Sequence, residues 1–116
     1  SQVNKIKEKA IIPSLREKRR YLAYNVISQD KINQASIKNS INNNCYDFLG
    51  QLDYSRAGIM IMDSGNNGVI RVSNKYLSKV RAAIMLIDKI DDKPVIVRTV
   101  TVSGILKKAR ARIEAS

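Results

Sequence analysis

A chain of 116 residues, 44% hydrophobic and 27% charged, is long enough for one hydrophobic core, too short for two, and has the composition of a folded protein. Its formal net charge of +11 is carried at the ends: residues 1–20 hold seven basic and two acidic groups, residues 94–116 five and one, and the 73 residues between them nine and seven, a distribution that points to a polyanionic partner, nucleic acid first. The lack of histidine, the single cysteine Cys45 and the absence of any apolar run near the roughly 20 residues of a membrane span remove a histidine-based active site, a zinc centre, a disulfide framework and a transmembrane protein.

Ser1 to Lys9 lacks the continuous apolar stretch of a secretory signal, so cytoplasmic residence is expected. Val3, Ile6 and Ala10 are spaced for a short helix or arm over residues 1–13, ended by Pro13. The aromatic and β-branched run 20–28 predicts the first strand, with Tyr21 and Tyr24 on opposite faces and one of them in the core. Between residues 30 and 49, Ile37, Ile41, Cys45 and Leu49 recur every four residues and line one face of a helix, with Asn42, Asn43 and Asn44 as the place where it would bend or break. Residues 58–62 and 69–72 flank the glycine- and asparagine-rich segment 63–68 and predict a β-hairpin. Leu77, Val80, Ile84 and Ile87 then mark a second core helix, with Asn74 as its cap. Residues 95–102 alternate as a last strand, and a basic helix over residues 105–113 closes the chain.

Strand, helix, strand, strand, helix, strand is the order of an α+β, ferredoxin-like (RRM-like) βαββαβ sandwich. The expectation is one RNA-binding domain over residues 1–116, its four-stranded antiparallel sheet carrying helices on one face and leaving the other free for a partner. The arm at 1–13 and the basic helix at 104–116 are additions to it. Fold does not decide function, because enzymes and regulatory modules share this topology. A catalytic site is not found: Asp30, Asp47, Asp53 and Asp63 fall at separate loops and helix ends, and no residue is assigned to catalysis or to a metal. The acyl-phosphate hydrolases built on this topology need a phosphate-cradling loop with arginine after the first strand, where this chain has Ser28-Gln29-Asp30. The third strand, Val69-Ile70-Arg71-Val72-Ser73, lacks the stacking aromatics of an RNA-recognition motif. Contacts to phosphates, 2′-hydroxyls and shape are the better expectation.

The cations suited to such contacts fall in two groups. Arg16, Lys18, Arg19 and Arg20 lead into the first strand, where they are expected at a rigid sheet edge, facing solvent. Ser103 and Gly104 lie where the last strand passes into the closing helix, either as a phosphate site at a helix amino terminus, assisted by Lys107 and Lys108, or simply as a cap and a turn. On that helix Ile105, Leu106, Ala109 and Ile113 form an apolar stripe flanked by Lys107, Lys108, Arg110 and Arg112. Arg71 is a further candidate.

The stretch Pro13-Ser14-Leu15-Arg16-Glu17-Lys18-Arg19-Arg20-Tyr21-Leu22-Ala23-Tyr24 resembles the opening of the archaeal and eukaryotic ribonuclease P protein component 2 family. Further points of resemblance, in the same order and spacing, are Leu49-Gly50, Gly68-Val69-Ile70-Arg71-Val72, Val80-Arg81-Ala82-Ala83-Ile84 and Val102-Ser103-Gly104-Ile105-Leu106-Lys107-Lys108, with Ile105 where the family commonly has threonine. The resemblance implies the same ferredoxin-like fold and a non-catalytic role in removing the 5′ leader of precursor tRNA. In that enzyme the RNA performs the hydrolysis with bound magnesium, so no cofactor is expected on the protein. The implied partners are ribonuclease P RNA, protein component 3 and a second copy of component 2. A ribosomal or general RNA-binding protein would share the electrostatic features, and a regulatory ferredoxin-like module the topology.

Overall fold

The computed structural model describes residues 18–115. The expected arm or helix over residues 1–13, and Arg16, lie outside the described residues. Six strands and four helices follow in chain order: β1 (Arg19–Ile27), α1 (Gln34–Leu49), α2 (Gln51–Ala57), β2 (Met60–Ser64), β3 (Asn67–Ser73), α3 (Leu77–Met85), β4 (Lys89–Ile90), β5 (Lys93–Pro94), β6 (Ile96–Ser103) and α4 (Leu106–Ala115). Four of the strands form one antiparallel sheet in the order β2-β3-β1-β6. No described helix is long and apolar enough to cross a membrane.

Alternation along the strands decides what each face buries. Leu22, Tyr24 and Val26 of β1 and Ile70 and Val72 of β3 point to one side, where they meet Ile37, Ile41 and Cys45 of α1 and Val80, Ala83 and Ile84 of α3. The outer strand β6 joins this core through Val97 and Val102, which an unbroken alternation would place on opposite faces. A bulge resolves the conflict: Ala23 pairs with Thr101 and Tyr24 with Thr99, so Val100 is an extra residue in the ladder. β2 carries a similar irregularity, with Ile61 opposite Ile70, Asp63 opposite Val69, and Met62 between them. Tyr24 is the tyrosine in the core, fully buried, and its hydroxyl donates to the carbonyls of Asp63 and Gly65, tying the β2–β3 hairpin to β1. Gly68 is its cross-strand partner, and a Cβ there would lie 2.3 Å from the tyrosine oxygen and 2.2 Å from the Asp63 carbonyl.

The structure corrects several expectations. The second sheet face is not free: α4 lies on it, with Leu106, Ala109 and Ile113 packed on Tyr21, Ala23, Met62, Val69 and Val100. Ile105, expected in that stripe, precedes the helix and is 51% exposed. β1 is an interior strand, so Arg19 and Arg20 sit at a strand end rather than a sheet edge, and both are half-buried. α1 starts at Gln34, after Asn33 whose side chain accepts the Ala35 N–H at 2.8 Å, and runs unbroken through the three asparagines. Two of them are satisfied in place, since Asn44 donates to the Ser40 carbonyl and Asn42 accepts from the Tyr54 hydroxyl, and Asn43 is exposed. The break comes at Gly50, φ 83°, and Gly58, φ 59°, ends α2, which moves β2 two residues beyond the expected start. Asn74 does not cap α3; it opens a 3-10 turn, Asn74–Tyr76, ahead of that helix. Asp91 and Asp92, both at positive φ, make the two-residue turn of the unexpected β4–β5 hairpin, a backbone geometry that matches strand twist and that aspartate tolerates better than most residues.

Candidate nucleic-acid interface

The start of β1 and the end of β6 come together, since Tyr21 pairs with Ser103. Arg20 donates through Nε to Asn74 Oδ1 at 3.2 Å, and the Lys18 carbonyl accepts the Asn74 N–H at 2.8 Å, so Asn74 fixes the entry into β1. The Arg20 guanidinium reaches across to Gly104: one terminal nitrogen lies 2.7 Å from where a Cβ at residue 104 would sit, so a side chain there would displace the end of Arg20. Ser103 Oγ accepts the Ile105 N–H at 3.1 Å, and the Ile105 carbonyl accepts from Lys108 and Ala109, which starts α4. Ser103 therefore closes a side-chain turn at the strand end, three residues ahead of the helix.

The first turn of α4 contains no acidic residue, and Lys107 and Lys108 are exposed on it. A helix amino terminus carries positive partial charge. Arg20 on Gly104 adds to that field instead of opposing it, and brings the cluster Lys18, Arg19 and Arg20 to the start of the helix that carries Lys107 and Lys108; this is the cationic end of the molecule. The sequence pattern contained both clusters but not their meeting, nor the role of Asn74 in holding Lys18 and Arg20.

Arg71 of β3 pairs with Tyr21 and lies on the α4 side of the sheet, half-buried, with Nε buried and without a hydrogen-bond partner. Arg110 is placed differently: it makes a two-pronged ion pair with Asp63, Nε to Oδ2 at 2.9 Å and a terminal nitrogen to Oδ1 at 3.1 Å. That contact, with the Asp63 charge, favours the protonated guanidinium still further and leaves Arg110 largely neutralised toward an external anion. Arg112 is exposed, two residues beyond it on α4.

The carboxylates are spent separately. Asp53 meets the Tyr76 hydroxyl and Lys79, each at 3.5 Å, while Asp63 holds Arg110. No group of three metal-ligating side chains is found among the described residues. Cys45 is buried, which pushes its thiol up to about 11. The surface is suited to binding anions through a preorganised set of cations.

The family model described as Rpp14/Pop5 matches residues 20–114. The chain belongs to the Rpp14/Pop5 family. Relatives include ribonuclease P protein component 2 of Pyrococcus furiosus, 31% identical over 107 residues that cover 90% of this chain and 89% of that one. The protein of the same name from Thermococcus kodakarensis is 31% identical over 109 residues, covering 91% of each. Among solved structures, a chain in the cryo-EM structure of yeast ribonuclease MRP superposes with a TM-score of 0.57 over 85% of this chain and 88% of that one. Its sequence is 14% identical, so that likeness is one of fold. The Rpp14/Pop5 match runs from Arg20 to Glu114 and includes Arg20, Gly104, Lys107 and Lys108.

Proposed function

We propose that this Rpp14/Pop5 chain is a non-catalytic subunit of ribonuclease P, a ferredoxin-like scaffold that binds the catalytic RNA during removal of the 5′ leader from precursor tRNA. The observation that carries the mechanism is Arg20 lying on Gly104, which joins the two basic clusters at the start of α4. An RNA folded for catalysis packs phosphates closely, at a cost in repulsion. Cations held on strand ends and a helix terminus lower that cost with little side-chain ordering. The protein binds no cofactor of its own in this reading; magnesium belongs to the RNA. Protein component 3 and a second copy of this chain are the protein partners, in the cytoplasm.

Reconstituted cleavage of precursor tRNA over a magnesium series tests this reading. The chain is expected to lower the magnesium concentration at half-maximal cleavage, and an unchanged requirement overturns the role. Purification of the native complex is expected to yield one discrete RNA; ribosomal RNA, or none, would point to a general RNA-binding protein or a regulatory module.

A further inference from the structure

Four side chains form a row across the α4 side of the sheet: Met60 of β2 pairs with Arg71 of β3, Arg71 with Tyr21 of β1, and Tyr21 with Ser103 of β6. Directly paired residues share a face, and Tyr21 belongs to the cluster under α4. α4 covers only part of the row. Its apolar residues rest on Tyr21, Ala23, Met62, Val69 and Val100, while Met60 is 47% exposed and stands outside that cluster. The row is thus open at its Met60 end, next to the half-buried Arg71.

Arg71 is the unusual member. Its Nε is buried without a hydrogen-bond partner, and no hydrogen bond or ion pair fixes its guanidinium among the described residues. A partly desolvated cation is ordinarily paired, and an unmatched one is a cost to the fold. Arg110, on the helix above, is matched by Asp63 although it is exposed. A guanidinium plane with no internal counter-charge, in a row between an aromatic residue and a methionine, is a surface for an electron-rich planar group. The two strands concerned, β1 and β3, are the central pair of a four-stranded sheet, where stacking positions lie in RNA-binding sheets of this kind.

We infer that the row is a binding site for one unpaired nucleobase of RNA, stacked on the Arg71 guanidinium between Tyr21 and Met60. The adjoining phosphates run to the cationic end at Arg19, Arg20 and Gly104. This rests on the RNA-binding role proposed above and adds to it: the chain prefers RNA in which a base is unstacked, with no need for an aromatic residue on β3.

The test compares one RNA stem in three forms: fully paired, with a single bulged 2-aminopurine nucleotide, and with an abasic residue at the bulge. The full-length chain is expected to bind the bulged stem about tenfold more tightly than the paired one, the contribution of a single stacked base, and to change the 2-aminopurine fluorescence. The abasic bulge is expected to bind like the paired stem, because it offers the same phosphates without a ring. Arg71→Lys keeps the charge and removes the plane, so it is expected to lose the preference and keep its affinity for the paired stem; Met60→Ala is expected to weaken the preference with no change in charge. Equal binding of paired and bulged stems by the unaltered chain, or a full preference retained by Arg71→Lys, overturns the base site alone. A chain that binds none of the stems overturns the RNA-binding role and the base site together.

Discussion

Replacing Gly68 with alanine adds a single methyl group where the structure has no room for it. The added carbon would sit 2.2 Å from the Asp63 carbonyl oxygen and 2.3 and 2.4 Å from the oxygen and Cζ of Tyr24, well inside contact distance. The Gly68 backbone is not in the left-handed region, so the cost is one of space. Tyr24 is fully buried and cannot swing away without abandoning the carbonyls of Asp63 and Gly65, while the Asp63 carbonyl is held in the β2–β3 hairpin. Overpacking of this kind costs about 1–3 kcal/mol, and leaving buried carbonyls without their donor about 1–3 kcal/mol more. The sum, about 2–6 kcal/mol, is a large part of the roughly 5–15 kcal/mol that a domain has in all. Tyr24→Phe keeps the ring and removes only the hydroxyl, so it is expected to lose about 1–2 kcal/mol. Urea unfolding followed by circular dichroism measures both. A Gly68→Ala variant no less stable than Tyr24→Phe would refute the proposed packing of hairpin against tyrosine.

Ile84→Asp puts a carboxylate at a fully buried position of α3 and is expected to leave the chain unfolded by circular dichroism at neutral pH. Arg19→Gln with Arg20→Gln is expected to reduce the salt dependence of RNA binding by up to two contacts, each about 0.7–0.9 in the slope of log affinity against log salt, with the native spectrum retained. Asp63→Asn releases Arg110 from its ion pair and is expected to steepen the same slope by up to about one contact. The Cys45 thiol titrates at about 11 in the folded chain against an ordinary 9.0. The unfolded chain therefore binds fewer protons between those values, and stability falls as pH rises from 9 to 11, with no contribution below 9. Tyr24, raised by burial first and the Asp63 charge second, acts in the same direction above its own ordinary value. Urea midpoints across alkaline pH check the trend.

Local pattern carried most of the sheet and the core. Leu22, Tyr24 and Val26 read as one face of a strand because side-chain direction has a period of two, and Ile37, Ile41 and Cys45 as one face of a helix because four residues nearly complete a turn. What escaped depends on partners distant in the chain. Propensity argued for a break at Asn42–Asn44, but the buried face of Ile37, Ile41 and Cys45 carries the helix through them, and Asn44 and Asn42 find partners in Ser40 and Tyr54. α2 has one buried residue, Ala57, and so too little apolar repetition to announce itself. The stripe of Leu106, Ala109 and Ile113 was legible, whereas its resting place on the second sheet face follows only from the path of the last strand. Both halves of the cationic end were visible as composition, and Arg20 could be placed on Gly104 only once β1 was known to pair with β6.

The extra residue at Val100 also makes β6 a strand with a spare position. Val97 and Val102 keep their places in the core because Val100 and Thr101 together face one residue of β1. Loss of either one would convert the bulge into a regular ladder, leaving every other side chain of the strand on its present face; loss of Val100 would also forfeit its packing under α4. Loss of a residue that the ladder could not absorb at this bulge would turn one end of the strand inside out. Chains of this fold that differ by one residue in length are thus compatible with the same core, provided the difference falls where the strand already runs out of step with its neighbour.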